Sequence, residues 1–325
     1  MDPGNAHMLT FEDDDFHAPG TTTTPPGVRP GSSFDEAWWF HETCWFWFFV
    51  PERKLGGWLY NWVRPNIGVA GGGCWVWDDT TFLHMEVPYY ANYSNHLLPE
   101  KRDLRDFTYP SGVSVKMLEP LKRYRLGFRD RDWIHLDLEY DAIMEPWASL
   151  RGDPPTPQHL DQVGRVTGAL VLYGDKLDVD CLAIRDRTWS RRAERYREGG
   201  GGGYTNAAAG SDLLFLHGRY FIADGVRAEL VESERTVERD PEHGYITRIA
   251  VRGKDTEGRA LEAEGRSLSR MAMPIPGVHG VVWTSLVDWT INGVQAWGED
   301  QEPWPLTSWA AFRREQRELG KTSSS

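Results

Sequence analysis

Residues 38–77, WWFHETCWFWFFVPERKLGGWLYNWVRPNIGVAGGGCWVW, carry eight of the sixteen tryptophans of this 325-residue chain. The run Trp38–Val50 is aromatic and β-branched, and PERKLGG ends it as a turn. Trp58–Val63 follows, then Arg64-Pro65-Asn66, then Ile67–Trp77, so the stretch predicts a meander of antiparallel strands. Indole is large, flat and polar at one edge, and is seldom fully buried without a partner for its N–H. Such a density of it forms either an unusually aromatic core or the wall of a cavity for something apolar or cationic.

Strand signals continue in both directions from this stretch. Residues 1–33 are rich in Pro and Thr and read as a flexible arm. Downstream, Val113–Leu118, Tyr124–Phe128 and the alternating Trp133–Tyr140 are short strands between turn signals. A Pro-rich connection spans Glu145 to Asp161, and Val163–Tyr173 and Lys176–Ile184 form a hairpin through Gly174-Asp175. The glycine run Gly199–Gly203 reads as a mobile loop, a lid if it lies over a cavity mouth. Strands resume at Leu213–Leu216, Arg219–Ala223, Val226–Val231, Tyr245–Val251, Leu261–Gly265, Val281–Asp288 and Gly293–Glu299. Only Thr307–Leu319 reads as helix, with Ser308 as its N-cap. The expected organisation is all-β: an arm (1–33), β-domains at 34–175 and 176–306, and a helix with its tail (307–325).

Composition narrows the function classes. The net charge is -12 with no basic block, so nucleic acid is not an expected partner. No apolar run is long enough to span a bilayer, and the acidic start is not a signal peptide, so membrane insertion is not expected. Three cysteines without CxxC spacing suit a reduced cytoplasm and an inert core. HExxH, GxSxG and GxGxxG are absent, so neither a metal nor another cofactor is expected.

Polar residues set among aromatic ones are the candidates for chemistry. His41 and Glu42 interrupt WWFHETCWFWFF; a solvent-facing Glu42 is the expected arrangement, and a buried one would have a raised pKa. His159 and Asp161 lead into one strand, and Asp186, Arg187 and Trp189 end the next. Asp186 beside Arg187 has a plain structural reading as an ion pair at a strand end. Asp224 precedes Gly225 as a turn residue would, and Glu299-Asp300-Gln301 reads as a solvated turn. A carboxylic acid in an aromatic pocket has a specific use. Burial keeps it protonated, so it can act as general acid, while indole faces stabilise positive charge on carbon.

The segments FHETCWFWFFVPERKLGGWLYNWVRPNIG (40–68), HLDQVGRVTG (159–168), AIRDRTWSRR (183–192) and VQAWGEDQEPWP (294–305) resemble the carotenoid 1,2-hydratase (hydroxyneurosporene synthase) family and its AttH-like relatives. The resemblance covers about Phe34 to Trp304 and implies two packed lipocalin-like β-barrels or sandwiches. In that family the segment matching RDRTW has the form Asp-His-x-Trp-Gly. Asp186 and Trp189 match it, Arg187 stands at the His position and Ser190 at the Gly position. For a later Tyr-x-Asp, Asp224 matches with Ile222 at the Tyr position.

These readings lead to a cofactor-independent hydro-lyase acting on a hydrophobic terpenoid, steroid or other alicyclic molecule. Asp186 or Asp161 is its general acid/base, Arg187 positions or polarises an oxygen, and Glu42, His41 and Asp224 are further proton-transfer candidates. Trp189, Trp75, Trp77, Tyr60 and His159 line the pocket. A non-catalytic carrier of an apolar ligand, or a carbon–carbon lyase or isomerase, suits the same residues. A homodimer is compatible with either.

Overall fold

The computed structural model of the chain describes residues 40–80, 82–151, 156–191, 203–210, 212–274 and 280–322. The expectations for the arm, for Trp38 and Trp39, and for the glycine run up to Gly202 lie outside these residues. The described chain is almost entirely strand and forms two compact units, each with its own sheet.

The first sheet contains β1 (Phe40–Val50), β2 (Leu55–Arg64), β3 (Val69–Trp77), β4 (Tyr89–Leu97), β5 (Asp106–Thr108), β6 (Ser114–Glu119), β7 (Arg123–Asp130), β8 (Ile134–Ala142), β9 (Trp147–Arg151), β10 (Thr156–Leu172) and β11 (Asp175–Arg191). Its order is β4-β3-β2-β1-β11-β10-β8-β7-β6-β5, with β9 on β10, which is an open half-barrel. The Trp-rich stretch forms β1, β2 and β3, side by side as the meander requires. All eleven residues of β1 are buried, on both faces of the strand, so a solvent-facing Glu42 does not occur: it is 0% exposed. The segment read as a Pro-rich connection instead holds β9 and the start of β10. At Gly164 of β10 an added Cβ would lie 2.4 Å from the Tyr140 ring, which needs that space to donate its hydroxyl to the Gln162 carbonyl at 2.8 Å.

The second sheet contains β12 (Tyr204–Ala209), β13 (Leu213–Leu216), β14 (Tyr220–Ala223), β15 (Val226–Arg239), β16 (Ile246–Asp255), β17 (Ala260–Ser267), β18 (Met271–Pro274), β19 (Gly280–Ile291) and β20 (Val294–Pro305). The order β17-β16-β15-β14-β13-β12-β20-β19, with β17 also paired to β19, closes a barrel of eight strands, and β18 pairs with Val281–Thr284 of β19, on the edge that β17 takes up further along. Phe215, Phe221, Ile249, Val251, Leu261, Val287, Trp289 and Ile291 form its core. Glu299, Asp300 and Glu302 are buried in β20 rather than solvated in a turn. Asp300 is held by Thr205 and, through both carboxylate oxygens, by Arg235 at 2.8 Å. The C-terminal helix (Leu306–Thr322) begins before Ser308, which lies within the first turn rather than at the cap.

The expected boundary at 175/176 is not where the units part. It falls in the β10–β11 hairpin, whose strands are paired continuously from His159↔Thr188 to Leu172↔Asp175 and cannot be divided between two sheets. The first unit keeps both strands of this hairpin, while Pro51–Leu55 and Trp77–Pro88 group with the second. Among the described residues no helix is long and apolar enough to cross a membrane.

Candidate functional site

Register across four strands of the first sheet builds the site. Trp45 of β1 pairs Asp186 of β11, Asp186 pairs Asp161 of β10, and Asp161 pairs Trp147 of β9. One step along lies a parallel ladder of Thr43, Thr188, His159 and Ser149. Cross-strand partners share a face and approach within side-chain contact. Two carboxylates thus sit side by side between two indoles, with an imidazole and hydroxyls beside them.

His159 joins the ladders. Its Nε2 lies 3.0 Å from Asp161 Oδ2, and its Nδ1 lies 2.9 Å from Thr188 Oγ1 and 3.5 Å from Asp186 Oδ2. Thr43 Oγ1 donates to Asp186 Oδ1 at 3.4 Å. The Asp161 side chain is 0% exposed, whereas His159 and Asp186 are 14% and 17% exposed. A buried carboxylate therefore orients an imidazole whose other nitrogen faces a second, more accessible carboxylate, an order of groups suited to passing a proton. Ligand atoms of His159, Asp161 and Asp186 also lie within 4.8 Å of one another, close enough to hold a metal ion. The imidazole, however, presents a different nitrogen to each carboxylate, which suits a proton relay better than three donors converging on one ion.

The Trp wall lies on this face. Ring contacts run from Trp45 to Trp58 (5.3 Å), from Trp58 to Trp75 (5.7 Å), and from Trp75 to Tyr60 and Tyr90 (both 5.9 Å). His41 packs edge-on against Trp62 at 5.3 Å. Trp77, at the end of β3, is fully buried. The indole N–H groups of Trp47, Trp62 and Trp75 are buried and meet no acceptor among the described residues.

The opposite face holds a separate polar centre. Successive side chains leave a strand on opposite sides, so Arg187 points away from Asp186, and the two expected partners do not act together. Arg187 NH2 lies 3.3 Å from Glu42 Oε2, its NH1 donates to the Thr43 carbonyl at 3.0 Å, and its guanidinium lies 5.9 Å from the Trp189 ring centre. Both charged groups are buried, at 1% and 0% exposure. Burial, with Cys44 and Glu42 adding and Arg187 opposing, holds the Tyr109 phenol well above its usual range. Trp189 packs with Phe40 and Leu160 on this face, away from the Trp75 side. Glu42 and Arg187 thus form a buried ion pair. Asp224 is not a buried acid: it sits in the exposed β14–β15 turn with φ 54° and Gly225 after it, the local role its sequence neighbours imply.

Sequence reasoning missed Trp147, Thr188, Thr43 and Ser149. The relation of Trp147 to Asp161 comes from pairing across β9 and β10, and the Pro-rich composition masked β9 altogether.

A family profile described as a domain of unknown function (DUF7064) matches residues 32–300. No curated protein sequence matches the chain. Among solved structures, an AttH protein from Nitrosomonas europaea is similar with a TM-score of 0.50 and 15% identity, over 86% of this chain and 98% of that one. CghA with Sch210972 is similar with a TM-score of 0.51 and 12% identity, over 88% and 95%. Kievitone hydratase from Nectria haematococca has a TM-score of 0.48 and 12% identity, over 88% and 95%. At these identities the likeness is one of fold.

Proposed function

We propose that this chain, which belongs to the family of the domain of unknown function DUF7064, is a cofactor-independent hydro-lyase of a hydrophobic alicyclic substrate of terpenoid or steroid type. The observation that carries the reading is His159 set between buried Asp161 and more accessible Asp186 beside an indole wall. In the dehydration direction Asp186, supplied through His159, gives a proton to the substrate hydroxyl. The C–O bond breaks with its electron pair leaving on water, and the adjacent C–H proton returns to the relay as its bonding pair forms the alkene. Hydration is the reverse. Asp161 holds the imidazole, and Trp45 and Trp147 flank the carboxylates where positive charge develops on carbon.

Other observations support the reading. The unsatisfied indole N–H groups of Trp47, Trp62 and Trp75 suit a substrate that carries oxygen acceptors on an apolar skeleton. Asp186 keeps the family-like position in the RDRTW segment. CghA, of similar fold, has been solved with a small molecule, Sch210972.

The test is native mass spectrometry of the protein purified from its host, followed by extraction of any bound molecule and its incubation with fresh protein. Gain or loss of one water, absent with Asp186→Asn, is the expected result. A bound molecule that stays unchanged supports the carrier reading. Rearrangement or cleavage without water exchange supports an isomerase or carbon–carbon lyase.

A further inference from the structure

Two residues from each of two neighbouring strands form a square around the relay. β10 contributes His159 and Asp161, and β11 contributes Asp186 and Thr188. His159 pairs with Thr188 and Asp161 with Asp186, so the four side chains share one face. Thr188 stands between Thr43 of β1 and His159 in its row and is buried, at 7% exposure.

The hydrogen-bond roles follow from the groups themselves. An ionised carboxylate only accepts, so Nε2 of His159, 3.0 Å from Asp161 Oδ2, is the ring nitrogen that carries hydrogen. A neutral imidazole has a single N–H, which leaves Nδ1 bare and in need of a donor. Two groups face it. Asp186 Oδ2, at 3.5 Å, cannot donate while ionised, whereas Thr188 Oγ1, at 2.9 Å, can. The Thr188 hydroxyl therefore donates to Nδ1 when His159 is neutral.

When His159 carries a second proton the roles reverse. The Nδ1–H now needs an acceptor, and the same hydroxyl has lone pairs to offer. As the proton passes to Asp186, the Nδ1–H bond breaks with its electron pair staying on Nδ1. An O–H bond forms at Oδ2, and the Thr188 hydroxyl turns its hydrogen back to Nδ1. Thr43 donates to Asp186 Oδ1 at 3.4 Å, which leaves Oδ2 for this exchange. A branched Cβ restricts χ1, so only the hydroxyl hydrogen has to turn. A hydroxyl serves both states of the relay; a methyl serves neither.

We propose that Thr188 is a positioning residue. With Asp161 it fixes Nδ1 as the His159 nitrogen that exchanges a proton with Asp186, and it keeps that nitrogen hydrogen-bonded before and after the transfer. The use made of the proton rests on the hydro-lyase reading, but the tautomer does not. The test is nitrogen-15 NMR of the full chain, labelled at histidine, with no ligand added, at about pH 8, above the ordinary histidine range. His159 is identified among the ten histidines by its loss in His159→Gln. The natural protein is expected to show a protonated Nε2 and a bare, hydrogen-bonded Nδ1. Thr188→Val, of nearly the same shape, should lose that signature, and Thr188→Ser should regain it. A threonine needed only for packing gives the opposite order, because valine keeps its shape and serine does not. A natural protein with Nδ1 protonated, or a Thr188→Val spectrum like the natural one, would overturn the proposal. A protein with the expected tautomer whose bound molecule never gains or loses water keeps this inference and loses the hydro-lyase reading.

Discussion

At His159 each imidazole nitrogen meets a different carboxylate, and only one of the two carboxylates is sealed from water. If the relay passes protons, Asp186→Asn and His159→Ala each lower turnover by about 10²-fold or more, while circular dichroism and Tm change little because both side chains have some exposure. Retention of turnover in both variants removes the relay from the mechanism. Glu42 and Arg187 are a different case. Removing one member of a buried ion pair strands the other charge, so Glu42→Ala should destabilise the chain by about 3–5 kcal/mol. The double variant Glu42→Met with Arg187→Met should recover most of that loss, as urea denaturation can show. His217 carries a pH dependence. Burial, with Arg235 adding, lowers its pKa from 6.5, so the folded chain binds this proton less readily than the unfolded chain. The unfolded state then holds more protons, and stability falls as pH drops through 6.5 toward the depressed folded value. His217→Gln should flatten the decline of Tm between about pH 7.5 and about pH 5.

Among the elements, the C-terminal helix shows how a short amphipathic segment is held. Phe312 stacks on Trp304 at 5.1 Å, Trp309 meets Trp283 and Trp304 at 5.3 Å, and the Arg239 guanidinium lies 5.2 Å from the Phe312 ring centre. Phe312→Ala should cost about 2 kcal/mol, from lost apolar burial together with an aromatic pair. Thermal melts compared with a control substitution at exposed Glu315 measure it. Strand β9 is the more instructive element for the site. It is five residues long, yet it supplies both Trp147 and Ser149 to the two ladders.

On the scale of the whole molecule, the half-barrel and the closed barrel each have their own sheet and buried polar pairs. Units with separate cores need not unfold as one. Differential scanning calorimetry should resolve two transitions: Glu42→Ala should shift the one belonging to the first unit, and Arg235→Ala, which removes the charged partner of Asp300, the other. A single transition moved equally by both substitutions would show that the two units unfold cooperatively.

The all-β class, the Trp-rich meander and many of the turns are legible in the amino-acid order alone. These are local: strand preference, period-two alternation and turn chemistry act over a few residues, as at Gly174 and at Asp224-Gly225. It also singled out Asp186, Asp161 and His159. Which residues share a face is set by the pairing of strands distant in the chain. Asp186 and Arg187 are adjacent in the chain but project to opposite sides of β11, whereas Trp45, Asp186, Asp161 and Trp147 are far apart in sequence and meet in one row. Register between strands depends on long-range pairing, and shifting it by one residue turns every side chain to the other face. Burial depends on the same pairing, which is why Glu42 and Asp300 are buried charges although their local sequences read as solvated.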